Sequence, residues 1–272
     1  MEEEEKKKVE AKVIADSISL VNDTRLTTFE VTMHRFVLSE FNTHRVFSRN
    51  SASSRAIPIM KQINAIKSNI AMPVEFGSNQ PGMQAGPPLT GDALYDAQQE
   101  WIAASLSAIA HAERLNALGV HKQVTNRLLE PFMWHKVIVT ATDWDNFFSQ
   151  RISKLAQPEI HLAAAKMKDA LDASWPQCLK FGEWHTPYVT EKEVPDLADR
   201  RRVSAARCAR VSYLTHDGVR DISADLDLYG KLISADPPHW SPLEHVATPF
   251  YEEDMFEGVP GNFDCWVQLR HF

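Results

Sequence analysis

Thirteen consecutive residues, Thr43-His44-Arg45-Val46-Phe47-Ser48-Arg49-Asn50-Ser51-Ala52-Ser53-Ser54-Arg55, hold three arginines, a histidine, an asparagine and four serines. Guanidinium forks and hydroxyls are the groups that hold phosphate oxygens, arginine doing so bidentately. Composition alone favours a polar surface loop, because loops are enriched in these residues. The chemistry, if present, is anion binding without a metal. The cysteines, Cys178, Cys208 and Cys265, are far apart and form no CxxC pair, which argues against a thiolate zinc site or a disulfide scaffold.

The order of residues changes that weighing. The segment resembles the RHRxxSxNxxSxR signature of flavin-dependent thymidylate synthases, with His44, Arg45, Ser48, Asn50, Ser53 and Arg55 in place. Thr43 stands where the family has its first arginine, and Ser51 where it commonly has glutamate. Two further segments resemble the family: Ala209-Arg210-Val211-Ser212-Tyr213, and His239-Trp240-Ser241-Pro242-Leu243-Glu244-His245. A third patch, Arg127 with Asn146 and Arg151 and the following Ala156-Gln157-Pro158-Glu159-Ile160, resembles the family's long-helix region. Leu155 sits where members often have histidine. In the family the segments like Ala209–Tyr213 and His239–His245 come first, then the arginine-serine loop, then the helices; here the loop and helices come first and those two segments last, as in a circular permutation of one fold.

The resemblance implies roles. FAD would be held by His44, Arg45, Asn50 and Asn146, with Ser212, Ser241 and Glu244 near the flavin and His239 near the folate. The nucleotide would be held by Ser53, Ser54, Arg55, Arg127 and Arg151, the last two acting on the pyrimidine as well. Gln268 is the candidate for an amide that the family supplies elsewhere, although a plain terminal strand fits it equally. NADPH as electron source, methylenetetrahydrofolate as carbon donor and a homotetramer with shared active sites are implied too. The expected reaction is methylation of dUMP at carbon 5. The departures at Thr43, Ser51 and Leu155 keep hydroxymethylation of dUMP, or of another deoxypyrimidine monophosphate such as dCMP, as the alternative. A non-catalytic nucleotide- or flavin-binding protein is the second alternative, and a purely structural or interaction protein the last.

These groups need elements to position them. Val13–Val21 and Leu26–Val37 predict two strands around a turn at Asn22-Asp23, the second alternating as a half-buried strand does. Met60, Ile63, Ile66 and Ile70 predict one face of a helix after Pro58. The stretch from Phe76 to Gly91 is a Gly/Pro-rich loop, either a lid or a mobile connection. Helices are expected over Asp92–Leu118 with Gly119 as the stop, His121–Leu129, and Asp145–Ala173 with a bend near Pro158. Arg207–Tyr213 reads as a strand or helix end, Asp225–Ser234 as a short helix, His239–Phe250 as a loop entering a strand, and Phe263–Phe272 as a terminal strand. Strands at both ends around a helical middle predict an α+β fold, with a mixed or antiparallel sheet assembled from distant segments beside long helices. Residues 1–10 are expected to be a disordered tail and 11–272 a single catalytic domain.

A formal net charge of −7 argues against duplex DNA or RNA as the main partner, but not against one nucleotide. No apolar run is long enough to span a bilayer, and Met1–Lys8 leads into no apolar signal core. A soluble protein of the cytoplasm (a host's, if the source is viral) is the expectation.

Overall fold

In the computed structural model, which describes residues 9–215, 220–250 and 262–272, a five-stranded mixed sheet carries the molecule. Its strands are β1 (Glu10–Ser19), β2 (Arg25–His34), β3 (Ser48–Ser51), β4 (Trp134–Ala141) and β5 (Gln177–Leu179), in the order β3-β4-β2-β1-β5. Neighbours are antiparallel except β1 and β5, which run parallel. A second pair, β6 (Ala247–Pro249) and β7 (Trp266–Gln268), is antiparallel. The class is α+β, with the main sheet drawn from segments as distant as Glu10 and Leu179.

The expected hairpin is present, and Asp23 at its turn takes the left-handed conformation (φ 58°) that asparagine and aspartate tolerate best. β2 is not half-buried, however. Glu30, His34 and Thr28 on its other face are buried as fully as Phe29, Val31 and Met33, because both faces of the sheet are covered. Phe29, Val31 and Met33 pack with Val137 and Val139 against Ile160, Ala163, Ala164 and Met167. The opposite face meets the C-terminal third: Ile138 packs on Cys208 and Val211, and Tyr188 Oη donates to Glu30 Oε2 at 2.6 Å. Val9 belongs to the core and β1 starts at Glu10, so ordered structure begins inside the segment expected as a tail; Met1–Lys8 lie outside the described residues.

The helices are α1 (Leu38–Asn42), α2 (Ile59–Ser68), α3 (Gly91–Ala117), α4 (Lys122–Thr125), α5 (Asp145–Arg151), α6 (Pro158–Asp172), α7 (Leu197–Arg210) and α8 (Ile222–Ser234). Gly119 (φ 80°) ends α3 as expected, since a left-handed residue after a helix costs glycine least. The α2 face holds Ile63 and Ile66 as expected, with Ile70 packed beside them, but begins at Ile59 instead of Met60, which is 49% exposed. The stretch expected as helix over His121–Leu129 is one α turn followed by a 3-10 helix, Asn126–Phe132, that contains Pro131. Asp145–Ala173 is two helices, not a bent one; α5 stops at Arg151 and Pro158 opens α6 at the position where its missing N–H costs nothing. Ser241–His245 is a 3-10 turn ahead of β6, and Arg207–Tyr213 is the end of α7 with a 3-10 turn. The final segment is strand only over Trp266–Gln268, then turns. In the Gly/Pro-rich loop, Gly77 bridges Pro88 and Gly86 N–H donates to Ser78 O at 2.8 Å. Among the described residues, no helix is long and apolar enough to cross a membrane.

Candidate active site

β3 places the arginine-serine segment at the edge of the sheet, and the chain then turns through Ser53–Ile57 into α2. Asn126 fixes this turn: its amide, fully buried, donates to Ser54 O at 2.8 Å and Ile57 O at 3.0 Å. The end of α7 is tied to the same segment. Asn50 Nδ2 donates to Cys208 O at 2.6 Å, Ser212 Oγ donates to Asn50 Oδ1 at 3.2 Å, and Ser53 N–H donates to Ser212 O at 3.0 Å. Asn50 therefore joins two motifs that lie 158 residues apart, with both ends of its amide engaged inside the protein.

Two cavities flank this junction. One, of about 510 Å³, has Asn50, Ser53, Arg55, Ser212, His239 and Ser241 in its wall, together with His121, Lys122 and Gln123 at the start of α4. The other, of about 380 Å³, is walled by Arg35, Arg49, Ser54 and Arg127, with Asn50, Ser53, Arg55 and Ser212 shared between the two. Neither wall includes an aspartate or glutamate, although the chain as a whole carries −7. Such a wall concentrates positive potential where an anion would sit. Arg55 is exposed and its guanidinium has no hydrogen bond or ion pair among the described residues, leaving its whole fork available.

Glu130 stands behind the smaller cavity. Its Oε1 accepts from Ser54 Oγ at 2.6 Å, Arg127 Nη1 at 2.7 Å and Arg35 Nη2 at 3.1 Å. Burial would raise this carboxyl, but the Ser54 hydroxyl and the two arginines outweigh it and hold its pKa below the usual range.

The remaining candidates lie apart from these walls. His44 is buried, stacked on Phe47 and edge-on to Phe147, and its Nε2 accepts from Arg151 Nε at 2.9 Å. Burial, then Arg151 and Arg49, depress the pKa of His44, so the ring is a neutral acceptor. Arg151 also donates to Glu40 O and to Thr43 Oγ1 at 2.9 Å, so Thr43 anchors Arg151. Arg45 and Asn146 are exposed, each next in sequence to a member of the His44–Phe147 ring contact. Arg151 and Arg127 are thus not gathered in one cavity of the single chain. Gln268 is fully buried and lines neither of these two cavities; its Nε2 donates to Ser48 Oγ and Glu244 O, each at 2.9 Å, which ties β7 to β3, while its Oε1 has no hydrogen-bond partner among the described residues. Glu244 accepts from Arg270 at 2.6 Å and lines neither of these two cavities.

Sequence reasoning missed Arg35, Lys122, His121 and Glu130. Arg35 had been read only as part of a strand; it is the first residue after β2, turned toward Glu130 and His135. Spacing gave no hint of the others, which reach the site through the 3-10 segment and α4. None of the cysteines lines either of these cavities, and burial pushes the Cys208 thiol up, keeping it protonated. Among the described residues no cluster of three or more His, Cys, Asp or Glu could hold a metal.

The family model described as thymidylate synthase complementing protein (Thy1) matches residues 1–177, more than half of the 272-residue chain. The chain belongs to that family. The matched Thy1 span includes the arginine-serine loop, Arg127, Asn146 and Arg151, and stops before Ser212 and Ser241, the residues that complete the cavity walls. A sequence comparison with curated proteins gives no match. Among solved structures, the UMP/dUMP methylase PolB from Streptomyces cacaoi bound with 5-Br dUMP is similar at 16% identity and a TM-score of 0.40, over 54% of this chain and 65% of that one. The same enzyme bound with 5-Br UMP is similar at 16% identity and a TM-score of 0.43, over 60% of this chain and 91% of that one. This chain spans just under two thirds of the first of these.

Proposed function

We propose that this Thy1-family chain is a flavin-dependent enzyme that transfers a one-carbon group to carbon 5 of dUMP, giving dTMP, with NADPH as reductant and methylenetetrahydrofolate as donor. The observation that carries the reading is the meeting of Ser53 and Arg55 with Ser212, His239 and Ser241 around one carboxylate-free cavity, although up to 188 residues separate them. Stability alone gives no reason for that assembly of hydroxyls and cations. It also supports the circularly permuted order, because segments expected at the start of the family's chain close the site from its end.

In this reading Arg55, with the Ser53 and Ser54 hydroxyls and Arg127, holds the nucleotide phosphate, and the fixed distance from that anchor orients the pyrimidine. The donor set on the outer face fits a flavin dinucleotide: the Arg45 guanidinium for its diphosphate and the Asn146 amide for its ring edge, with His44 and Arg151 locked behind them. When bound, a reduced flavin supplies the reducing equivalents for the one-carbon unit. The chain's part is to bind, align and exclude water; no cysteine nucleophile is needed. Because Arg151 and Asn146 stand apart from the walls that hold Arg55 and Arg127, a site shared between subunits of a homotetramer would bring the two sets together.

Hydroxymethylation of dUMP or another deoxypyrimidine monophosphate is the second reading. It is favoured by Ser51, which stands in the smaller cavity's wall where the family commonly has glutamate. Calorimetric titration with dUMP tests the nucleotide site. Arg55→Ala should weaken binding by about ten- to a hundredfold, the weight of a charge-assisted phosphate contact. Equal affinity of the variant and the parent would remove Arg55 from the site.

A further inference from the structure

One oxygen of Glu130 occupies the kind of surroundings that a phosphate oxygen seeks. Two guanidinium groups and a hydroxyl converge on Oε1 within 2.6 to 3.1 Å. Arg35, Leu38 and Arg127 are common to the 380 Å³ cavity and to a neighbouring one of about 480 Å³ that Glu130 lines, so the carboxylate stands at the seam between them. On the 380 Å³ side the wall carries Arg35, Arg49, Arg55 and Arg127 and no acid. Ser54 and Arg127, both expected to serve the nucleotide, are therefore occupied by an internal anion.

The local backbone makes this contact one that can be exchanged. Glu130 precedes Pro131 in the 3-10 segment, and Leu129 and Phe132 on either side are buried, so the main chain is held. The Glu130 side chain is 24% exposed and borders the open 480 Å³ cavity, which gives its carboxylate somewhere to go. Arg35 does not need Glu130 for its placement, since its Nη1 also lies 3.2 Å from His135 Nε2.

Resting on the nucleotide reading above, we propose that Glu130 is an internal competitor for the phosphate site: its carboxylate holds Ser54, Arg127 and Arg35 until a phosphate displaces it. Displacement favours ligands that bring more negative charge than the carboxylate they replace. A phosphate monoester dianion does so; a nucleoside or a neutral analogue does not. Glu130 would thus hold down the site's affinity for phosphorylated pyrimidines while leaving that for free nucleosides unchanged. A residue that only oriented the arginines would have the opposite effect on removal, because losing it would weaken the phosphate contacts.

The sign of the change decides. Calorimetric titrations of dUMP and of deoxyuridine into the full-length parent, Glu130→Gln and Glu130→Ala are the test, with unfolding midpoints to show that each variant is folded. Glu130→Gln keeps the shape and an acceptor but removes the charge. It should bind dUMP about tenfold more tightly, the effect of removing one competing charge-assisted contact, with deoxyuridine affinity unchanged. Equal or weaker dUMP binding by both folded variants overturns the proposal. If the parent itself does not bind dUMP, the nucleotide reading fails, and inorganic phosphate titrated into the same proteins decides on Glu130 alone: tighter phosphate binding by Glu130→Gln supports the competitor, and no gain refutes it.

Discussion

Lowering the pH from 7.5 to 5.5 should destabilise this fold far more than its surface charge alone would. The sheet is crossed by a buried chain of hydroxyls and imidazoles. Ser17 Oγ lies 2.8 Å from His185 Nδ1, His185 Nε2 lies 2.7 Å from Thr28 Oγ1, Thr28 Oγ1 lies 2.7 Å from Thr140 Oγ1, and Thr140 Oγ1 lies 2.7 Å from His245 Nδ1. His135, on β4, is buried as well, with the Arg35 guanidinium beside it. Burial first, and for His135 the Arg35 charge, for His245 the neighbouring His185, depress each of the three imidazoles to about 3. In the unfolded chain each titrates near 6.5. A depressed histidine is neutral in the fold, so protons bind the unfolded chain preferentially, and stability is full above about 6.5 and lost as pH falls toward the folded value. Each contributes about 1.4 kcal/mol of loss between pH 7.5 and 5.5, hence about 4 kcal/mol for three. With a urea slope of about 3 kcal/mol per molar for a chain of this size, the midpoint should drop by about 1.3 M. His34, His44 and His271, whose pKa values are also lowered, add loss of the same sign in this window, whereas the lowered carboxyls of Asp16, Glu130 and Glu193 act at lower pH. Urea unfolding at pH 7.5, 6.5 and 5.5 checks it. A midpoint constant across that range would show that these rings are not held neutral, and would refute the buried network as the anchor of the Ser241–His245 turn.

Two further outcomes follow from the site's supports. Asp225, fully buried, takes Arg207 Nε at 2.9 Å and Arg210 Nε at 2.7 Å, and so fixes the end of α7 that presents Ser212. Asp225→Ala should cost about 3–5 kcal/mol by leaving two arginines without their buried partner, read as a lower unfolding midpoint; an unchanged midpoint would contradict it. Arg151→Ala frees His44 Nε2 and Thr43, and should lower the flavin retained through purification, read from the visible spectrum. A variant as yellow as a flavin-bearing parent would remove Arg151 and His44 from the flavin's support.

The hairpin and the long helix were legible in the sequence because local signals agreed there: alternation in β2, a turn at Asn22-Asp23, Gly119 after α3. β4 was not assigned, although it is the strand that both β2 and β3 pair with. Its residues, Trp134–Ala141, are buried on both faces and give no clean alternation. The split between α5 and α6 was read as a bend because Pro158 alone marks a boundary but not the six residues of turn before it. The arginine-serine loop was legible as a motif. What its groups do was less so: Asn50 and Gln268 spend their amides on Cys208, Ser48 and Glu244, contacts made across the fold that no spacing reveals. Glu130 was invisible for the same reason: Arg127 is its i,i+3 neighbour, but Ser54 and Arg35 come from separate segments.

The central claim is transfer of a one-carbon group to carbon 5 of dUMP. It is tested most directly by incubating the protein with dUMP, FAD, NADPH and methylenetetrahydrofolate without oxygen, and weighing the nucleotide by mass spectrometry. The account predicts a gained methyl group, lost when Arg55 is replaced by alanine. A gained hydroxymethyl group would establish the second reading in its place, and dUMP and dCMP both returned unchanged by a flavin-loaded protein would contradict the account.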